Sequence, residues 1–402
     1  MNWDRAKLGD ICKSISDGDH QAPPKSETGI PFVTISNITN TNRFDFTNTM
    51  HVPLDYFERL DDKRKPRMGD ILYSVVGSFG IPVLITEEEK FVFQRHIAIL
   101  RPDEKEVVPA YLYYTMLSRD FYMKADAVAL GAAQRTISLT ALREMEIQLP
   151  DYDIQKKIVK ILRPFDDLIE NNRKQIKLLE EAAQRLYKEW FIDLRFPGYE
   201  NCKIVDGVPE GWLYKRVEEF GEVITGKTPS TVKTEYYGGN IPFITIPDMH
   251  EKVFPLVTEK TLTKVGAESQ KNKYLPINAV IVSCIATVGL VNIAVKPCQT
   301  NQQINSVILH NDNDLYFFYE SMKRIKALLD GVGSNGATMT NVNKTKFSNI
   351  KVLYPTEDLV LKYNEFCKHI FDKILALSKA TLIAEQARDR LLPKLISGEI
   401  EM

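Results

Sequence analysis

Ile-Pro-Phe-Val-Thr-Ile at positions 30–35 returns as Ile-Pro-Phe-Ile-Thr-Ile at positions 241–246. The repeat continues along the chain, where further corresponding segments are 69–74 with 278–283, and 131–150 with 336–355. Self-similarity at so long a period excludes a solenoid of short repeats and indicates two homologous domains. The sequence therefore predicts a fold that is built twice.

The bulk composition describes a globular chain of 402 residues, 44% of them hydrophobic, which suffices for two or three domains with apolar cores. No apolar run approaches the 18 or so residues of a membrane span, and the N-terminus lacks the order of a signal peptide. Five scattered cysteines without C-x-x-C spacing fit a reducing cytoplasm and provide no zinc site. We therefore expect a cytoplasmic protein with no membrane partner.

The net charge of −1 argues against a nucleic-acid binder unless positive charge is collected on one face. Bases do cluster locally, at Lys63-Arg64-Lys65 and at Arg95-His96, although ordinary solvated loops show such clusters too.

Short β-branched or aromatic runs bounded by Gly, Pro and Asn predict strands in the first copy at 32–35, 71–76, 83–85 and 97–100. Helical spacing at 111–127 predicts a helix. The second copy repeats this order, with strands near Phe243, Val280, Val291 and Val307 and a helix near 316–329. The predicted fold class is α+β, with two homologous mixed α/β domains.

Each copy ends in a long segment whose apolar residues step alternately by four and three, as in the seam of a coiled coil. In the first segment the predicted seam is Ile154, Ile158, Ile161, Phe165, Leu168, Asn172, Gln175, Leu179, Ala182 and Leu186. In the second it is Leu359, Tyr363, Phe366, Ile370, Lys373, Leu377, Ala380, Ala384, Ala387 and Leu391. Asn172 and Gln175 are polar seam residues of the kind that sets register. Pro164 is expected to bend the first helix near its start.

The second helix buries its apolar stripe most economically by packing back along the first, which predicts an antiparallel coiled coil. About 38 residues make a rod of roughly 57 Å, and one turn of B-DNA is about 34 Å, so two domains on such a rod could address separated DNA sites. A coiled coil used only for oligomerisation is the alternative. The predicted segments are 1–150, the first domain; 151–194, the central helix; 195–355, a linker and the second domain; and 356–402, the C-terminal helix.

Two glycine-rich strings imitate nucleotide-binding motifs. Positions 221–228 satisfy G-x-x-x-x-G-K-[ST], but Pro229 follows at once and the first copy has no equivalent lysine. A phosphate loop needs a helix directly behind the lysine. Positions 331–336 satisfy G-x-G-x-x-G without the required strand before and helix after. The six histidines show no metal-ligand spacing. The sequence thus predicts neither a catalytic residue nor a metal site.

Several strings, in the same order in both copies, resemble a known family. They are Leu8-Gly9-Asp10-Ile11 with Asp17-Gly18-Asp19-His20, then Gly226-Lys227-Thr228-Pro229-Ser230 leading to Tyr236-Tyr237-Gly238-Gly239, and finally 387–400 at the C-terminal end. With them the chain resembles, over nearly its whole length, the specificity (S) subunit of type I restriction-modification systems. Pro164 departs from the pattern without altering the expected architecture.

The resemblance implies two target-recognition domains, each reading one half of a bipartite sequence in double-stranded DNA. It implies that the helices dock two modification subunits, which hold S-adenosylmethionine and methylate adenine. A restriction subunit would supply ATP- and Mg-dependent translocation and cleavage. This chain itself would bind no cofactor and catalyse nothing.

Candidate DNA-binding residues follow from side-chain chemistry: Asn and Gln suit adenine, Arg and Lys suit guanine, and Ser, Thr and basic groups suit phosphates. In the first copy they are His20, Lys25, Asn40, Asn42, Arg43, Lys65, Arg67, Arg95, Gln134 and Arg135. In the second they are Lys227, Thr228, Lys233, Tyr236, Asn301, Gln302, Gln303, Asn341, Asn343 and Lys344. Two other functions stay open at this stage, a coiled-coil scaffold that binds only protein and a nucleotide-dependent enzyme.

Overall fold

The structure is a computed structural model that describes residues 3–39, 41–47, 49–131, 135–330 and 341–401. The first copy contains, in chain order, β1 (Asp4–Lys7), α1 (Leu8–Ile11), β2 (Cys12–Asp17), β3 (Ile30–Val33), β4 (Met50–Val52), α2 (Leu54–Arg59), β5 (Ile71–Ser74), β6 (Pro82–Leu84), β7 (Val92–Phe93), β8 (Ile97–Pro102), α3 (Pro109–Leu117), α4 (Arg119–Val128), α5 (Leu139–Glu144), β9 (Glu146–Leu149) and α6 (Tyr152–Phe191).

The second copy adds a short hairpin and has the helix α8 (Ile246–Met249) where the first copy has a 3₁₀ turn at Ile35–Asn37; otherwise it follows the same order. Its elements are β10 (Ile204–Val205), β11 (Val208–Pro209), β12 (Leu213–Arg216), α7 (Val217–Phe220), β13 (Gly221–Thr225), β14 (Tyr237–Ile244), α8 (Ile246–Met249), β15 (Lys260–Leu262), α9 (Lys264–Glu268), β16 (Val280–Ser283), β17 (Val291–Ile293), β18 (Gln299–Thr300), β19 (Ile304–Leu309), α10 (Leu315–Lys323), α11 (Ile325–Asp330), α12 (Lys344–Ser348), β20 (Lys351–Tyr354) and α13 (Glu357–Ile396).

The two copies have the same sheet topology. In the first, a four-stranded antiparallel sheet has the order β2-β8-β5-β6, a three-stranded sheet has the order β4-β3-β7, and β1 pairs with β9. In the second, the corresponding sheets are β13-β19-β16-β17, β15-β14-β18 and β12-β20. In both three-stranded sheets the last pair is parallel. The duplication predicted from the sequence is therefore a duplication of the fold.

The central strands are mostly apolar and almost entirely buried because both faces of the four-stranded sheet are covered. In β5, Ile71 and Tyr73 belong to one core cluster, whereas Leu72 belongs to another on the opposite face. The second copy does the same in β16, with Val280 in one cluster and Ile281 in the other.

The single helix predicted at 111–127 is wrong in one respect, since the structure has two helices, α3 and α4, that meet at Ser118. Ser118 has extended backbone angles, and its Oγ accepts a hydrogen bond from the backbone N–H of Phe121 at 3.2 Å. Serine is a strong helix N-cap, so it favours a new start over a continued helix. In the second copy the predicted helix is likewise divided, at Arg324 between α10 and α11.

The chain forms two compact units. Unit 1 comprises residues 1–168 with 384–402, and unit 2 comprises residues 169–383. The core of unit 1 includes Ile158 and Leu162 from the start of α6 with Leu392 and Leu395 from the end of α13. In unit 2 the end of α6 packs with the start of α13. The two long helices therefore pair antiparallel. The four predicted segment boundaries stay a prediction.

The predicted seam has two alternating rows of residues. One row faces the core as predicted, whereas in the other the buried residue is the one that follows the predicted residue. Ile158, Asn172, Tyr363, Leu377 and Ala384 are buried, and Phe165, Leu179, Leu186, Ile370 and Leu391 are half-buried. Ile161, Leu168 and Phe366, however, are exposed by 38%, 45% and 58%. Their following neighbours, Leu162, Ile169 and Cys367, are buried instead. Because Ile161-Leu162 and Leu168-Ile169 are pairs of apolar residues, periodicity alone could not choose between them.

Pro164 lies inside α6, which continues through it. Within the described part of the chain, none of the helices is both long enough and apolar enough to span a bilayer.

Candidate functional site

A tight turn of the same geometry enters the central strand in each copy. In unit 1, the Ile97 N–H donates to the Gln94 carbonyl at 3.0 Å, so Arg95 and His96 are the central residues of the turn that leads into β8. In unit 2, the Ile304 N–H donates to the Asn301 carbonyl at 3.3 Å, which makes Gln302 and Gln303 the corresponding pair before β19. Arg95 and Gln302 are both exposed.

The loop that follows β2 in unit 1, like the loop that follows β13 in unit 2, is held against this turn by backbone hydrogen bonds. In unit 1 the Gly18 N–H donates to Ile97 O at 3.1 Å and the Asp19 N–H to Phe93 O at 2.9 Å. In unit 2 the Gly226 N–H donates to Ile304 O at 3.0 Å and the Lys227 N–H to Thr300 O at 2.9 Å.

Glycine is required at the contact because of this close approach. A Cβ added to Gly18 would lie 2.2 Å from Phe93 O, and one added to Gly226 would lie 2.1 Å from Asn301 O. The glycine that completes the apparent phosphate loop is therefore a packing residue.

Two further loops join the turn and the first loop. The Val75 N–H donates to His96 O at 2.9 Å, and Val75 O accepts from the Ile137 N–H at 2.9 Å. In unit 2 the Cys284 N–H donates to Gln303 O at 2.9 Å, and Cys284 O accepts from the Val342 N–H at 2.7 Å. We call this meeting of the turn with three loops the three-loop edge; in unit 1 the turn is 94–97 and the loops are 17–20, 75–77 and 135–137, and in unit 2 the turn is 301–304 and the loops are 225–228, 284–286 and 341–342.

The three-loop edge of unit 1 is internally ion-paired. The His20 ring nitrogen Nε2 lies 2.6 Å from an Asp17 carboxylate oxygen. The Arg64 guanidinium lies 3.7 Å from Asp17 and 3.9 Å from the buried Asp19, which also accepts a hydrogen bond from the Tyr56 hydroxyl. These groups mainly hold each other in place.

Arg135 is held in the same way at the far side of the unit 1 edge. Its guanidinium lies 2.7 Å from the Asp126 carboxylate and 5.7 Å from the centre of the Phe79 ring. Arg95 remains as an exposed cation on the turn itself.

The three-loop edge of unit 2 is polar and carries no carboxylate in its first loop. Lys227 is exposed, while its carbonyl accepts a hydrogen bond from Gln270 Nε2 at 2.7 Å. Thr228 Oγ1 donates to Gln302 Oε1 at 2.7 Å, and Asn301 Nδ2 donates to Gln303 Oε1 at 3.0 Å. The two units thus present different chemistry on the same backbone frame.

The structure brings only part of the predicted candidates to these edges. Those that lie there are His20, Arg95 and Arg135 in unit 1, and Lys227, Thr228, Asn301, Gln302, Gln303 and Asn341 in unit 2. Asn40 and Gln134 lie outside the described residues.

The remaining candidates have other settings. Asn42 donates to Pro82 O at 2.9 Å, Lys65 donates to Glu58 O at 2.9 Å, and Arg67 lies 3.2 Å from Asp62. Lys233 donates to the Tyr236 hydroxyl at 3.0 Å, and Asn343 caps α12 at the Lys346 N–H. Lys25 and Lys344 are exposed and Arg43 is half-buried.

His96 belongs to the edge and Arg64 contacts it through Asp17 and Asp19, but neither residue was among the candidates. Both stand in the short basic clusters that the sequence shows, and that signal could have found them.

The apparent phosphate loop is not one. Its first half is strand β13, and residues 226–233 form no helix behind Lys227. The other glycine motif, 331–336, lies outside the described residues. In the part of the chain that the structure describes, no three His, Cys, Asp or Glu side chains are grouped as metal ligands. Burial raises the pKa of Cys284 to about 11, which keeps the thiol protonated at neutral pH.

Known proteins show the same organisation. The type I restriction modification DNA specificity domain family matches this chain twice, at residues 1–181 and 209–382. The type I restriction enzyme HindI specificity subunit of Haemophilus influenzae is 30% identical over 471 residues, covering 99% of this chain and all of that relative. The putative MjaX specificity subunit of Methanocaldococcus jannaschii is 27% identical over 100% of this chain and 94% of that protein.

A solved structure agrees with the fold. The type I restriction-modification system S subunit of M. genitalium superposes with a TM-score of 0.59 at 16% identity, covering 98% of this chain and 96% of that one. From the family match and the relatives, the chain belongs to the specificity subunits of type I restriction-modification systems, a non-catalytic role, and has two target-recognition domains.

Proposed function

We propose that each unit reads one half of a bipartite sequence in double-stranded DNA through its three-loop edge. The observation that carries this is the pair of equivalent turns, whose backbone hydrogen bonds agree while their exposed side chains differ. A shared frame with exchanged side chains is what two readers of different half-sites need, because bases are distinguished by the hydrogen-bonding groups of side chains.

The near-zero net charge fits a reader whose positive charge is local. At the unit 1 edge, carboxylates hold His20 and Arg64, which leaves Arg95 as the exposed cation on the turn. The affinity for DNA that comes from phosphate contacts would then be modest for this chain alone. We propose that the other subunits of the assembled complex supply the remaining affinity.

The outer faces of the long helices would dock two modification subunits. In unit 1, Ile161 and Leu168 are exposed on α6; in unit 2, Leu178 is 64% exposed on α6 and Phe366 is 58% exposed on α13. Contiguous exposed apolar patches are typical of protein interfaces, and these side chains are where such a patch would form. The modification subunits would hold S-adenosylmethionine, and a restriction subunit would use ATP and Mg, all in the cytoplasm.

The docking proposal is tested by Phe366→Glu with Lys368→Glu as the control at a neighbouring exposed position. We expect Phe366→Glu to lose co-purification with the modification subunits and Lys368→Glu to keep it. Equal retention by both variants would contradict docking at this face.

DNA reading is tested by mapping methylated adenines in cells that express the modification subunits with and without this chain. The proposal expects methylation at one split sequence that appears only when the chain is present. Methylation that is independent of the chain, or absent from a complex that assembles, would favour the alternative, a protein-binding scaffold without DNA specificity.

A further inference from the structure

The two turns occupy the same structural position in their units. Each has one backbone bond across the turn, one from the glycine of the first loop to the residue after the turn, and one to the carbonyl of its second central residue. These three hydrogen bonds identify Arg95 and Gln302 as equivalent positions of the two units, independently of sequence similarity. The neighbouring strands are buried, with Phe93 and Ile97 at 1% and 0% exposure, so the turn is presented from a rigid base.

The first central residue of each turn is the group best placed to meet a ligand. In unit 1 His20 lies against Asp17, and Arg95 is exposed; in unit 2 Gln303 is half-buried and accepts a hydrogen bond from Asn301, and Gln302 is exposed. Thr228 donates to Gln302 Oε1 at 2.7 Å, which orients the amide plane and leaves a second oxygen lone pair and the amide hydrogens to act outward.

We propose that Arg95 and Gln302 are specificity-determining residues at equivalent positions, Arg95 reading a guanine in the half-site of unit 1 and Gln302 an adenine in that of unit 2. A guanidinium donates two hydrogen bonds to guanine O6 and N7, and a carboxamide exchanges two with adenine N6 and N7. The assignment rests on the proposed function, which it deepens by naming the bases.

Exchange of the two side chains tests the assignment within the assembled complex. Arg95→Gln is expected to replace one G·C pair by A·T in one half of the methylated sequence and leave the other half unchanged. Gln302→Arg is expected to make the reverse change in the other half. The readout is the sequence surrounding methylated adenines across the genome, compared with the wild type.

Matched controls lie at the far ends of the same strands. Lys105→Gln removes one exposed positive charge beyond the end of β8, and Asn313→Arg adds one beyond the end of β19. Six residues of strand separate each control from its turn, roughly 20 Å. Both controls should keep the wild-type sequence.

Equilibrium binding to duplexes with each base pair substituted in turn gives a second readout. Arg95→Gln should reduce discrimination at one base pair by about tenfold to a hundredfold. If this variant fails to assemble, Arg95→Ala takes its place, and discrimination should fall at that same pair alone. Binding that weakens equally on all duplexes would identify a phosphate contact and overturn the assignment.

The outcomes separate the two proposals. A wild-type complex that methylates no split sequence contradicts the proposed function. A wild-type complex that does so, while both exchange variants keep its sequence, contradicts only the roles of Arg95 and Gln302.

Discussion

At the scale of single residues, Gly226 decides whether positions 221–228 are interpreted as a packing contact or as a nucleotide-binding loop. A Cβ on Gly226 would meet Asn301 O at 2.1 Å, so Gly226→Ala should lower the free energy of unfolding by about 1–3 kcal/mol. Lys227→Ala, at the exposed neighbour, should change it by less than about 0.5 kcal/mol. Urea denaturation followed by tryptophan fluorescence measures both. Nucleotide binding that Lys227→Ala abolishes would restore the phosphate-loop interpretation.

Glu320 on α10 is a buried acid whose protonation affects stability. Its pKa is raised from 4.5 to about 7, chiefly by burial; Lys323 opposes the rise and the nearby Glu180 adds to it. The pKa of Glu320 is higher in the folded state than in the unfolded state. The stability that protonated Glu320 contributes is therefore fully present below about pH 4.5 and is lost as pH rises through about 7. Between pH 5 and 8 the wild type should therefore lose up to roughly 3 kcal/mol relative to Glu320→Gln.

The control for Glu320 is Glu365→Gln, at an exposed position on α13. It should follow the wild-type pH profile of urea stability. A Glu320→Gln profile that also parallels the wild type would contradict a raised pKa of the buried Glu320.

At the scale of elements, the sequence predicts the strands better than the helix faces. Runs such as 71–76 and 97–100 are β-branched and buried on both sides, so their strands could be predicted. The break at Ser118 and the second seam row could not, because a serine cap competes with continued helix and adjacent apolar pairs fit either frame. Arg64 and His96 stand in basic clusters that the sequence shows, but which of those cations meet at the edge depends on pairing between loops that are distant in sequence.

The seam register makes a direct prediction in unit 1. Leu162 is fully buried in the core cluster, whereas Ile161 beside it is 38% exposed. Leu162→Ala should therefore cost about 2–4 kcal/mol and Ile161→Ala less than about 1 kcal/mol. Hydrogen exchange of the amides in the first turns of α6 measures the difference. Equal losses of stability in the two variants would contradict this register and support a seam through Ile161.

A half-buried network strengthens the same helix pair in unit 1. Asp166 on α6 accepts hydrogen bonds from Arg388 on α13 at 2.7 Å and from the Tyr114 hydroxyl at 2.5 Å. One carboxylate thus joins both long helices to α3, which helps to hold the start of α6 and the end of α13 in unit 1.

At the scale of the whole molecule, duplication is the feature that sequence alone predicts most completely. The repeated strings predict that both copies share one fold, which the matching sheet orders confirm, and the family model matches the chain twice, at residues 1–181 and 209–382. What duplication does not reveal is which loops converge, since the three-loop edge arises only when β2 pairs with β8 and β13 with β19.

The central claim is that the two copies read different halves of one target independently. It is tested most directly by replacing residues 1–150 with the corresponding segment of a relative that has another specificity, and then mapping methylated adenines in cells with the modification subunits. We predict that one half of the split sequence changes to that of the donor while the other half is retained. A sequence that stays unchanged in an assembled, active complex would contradict the claim.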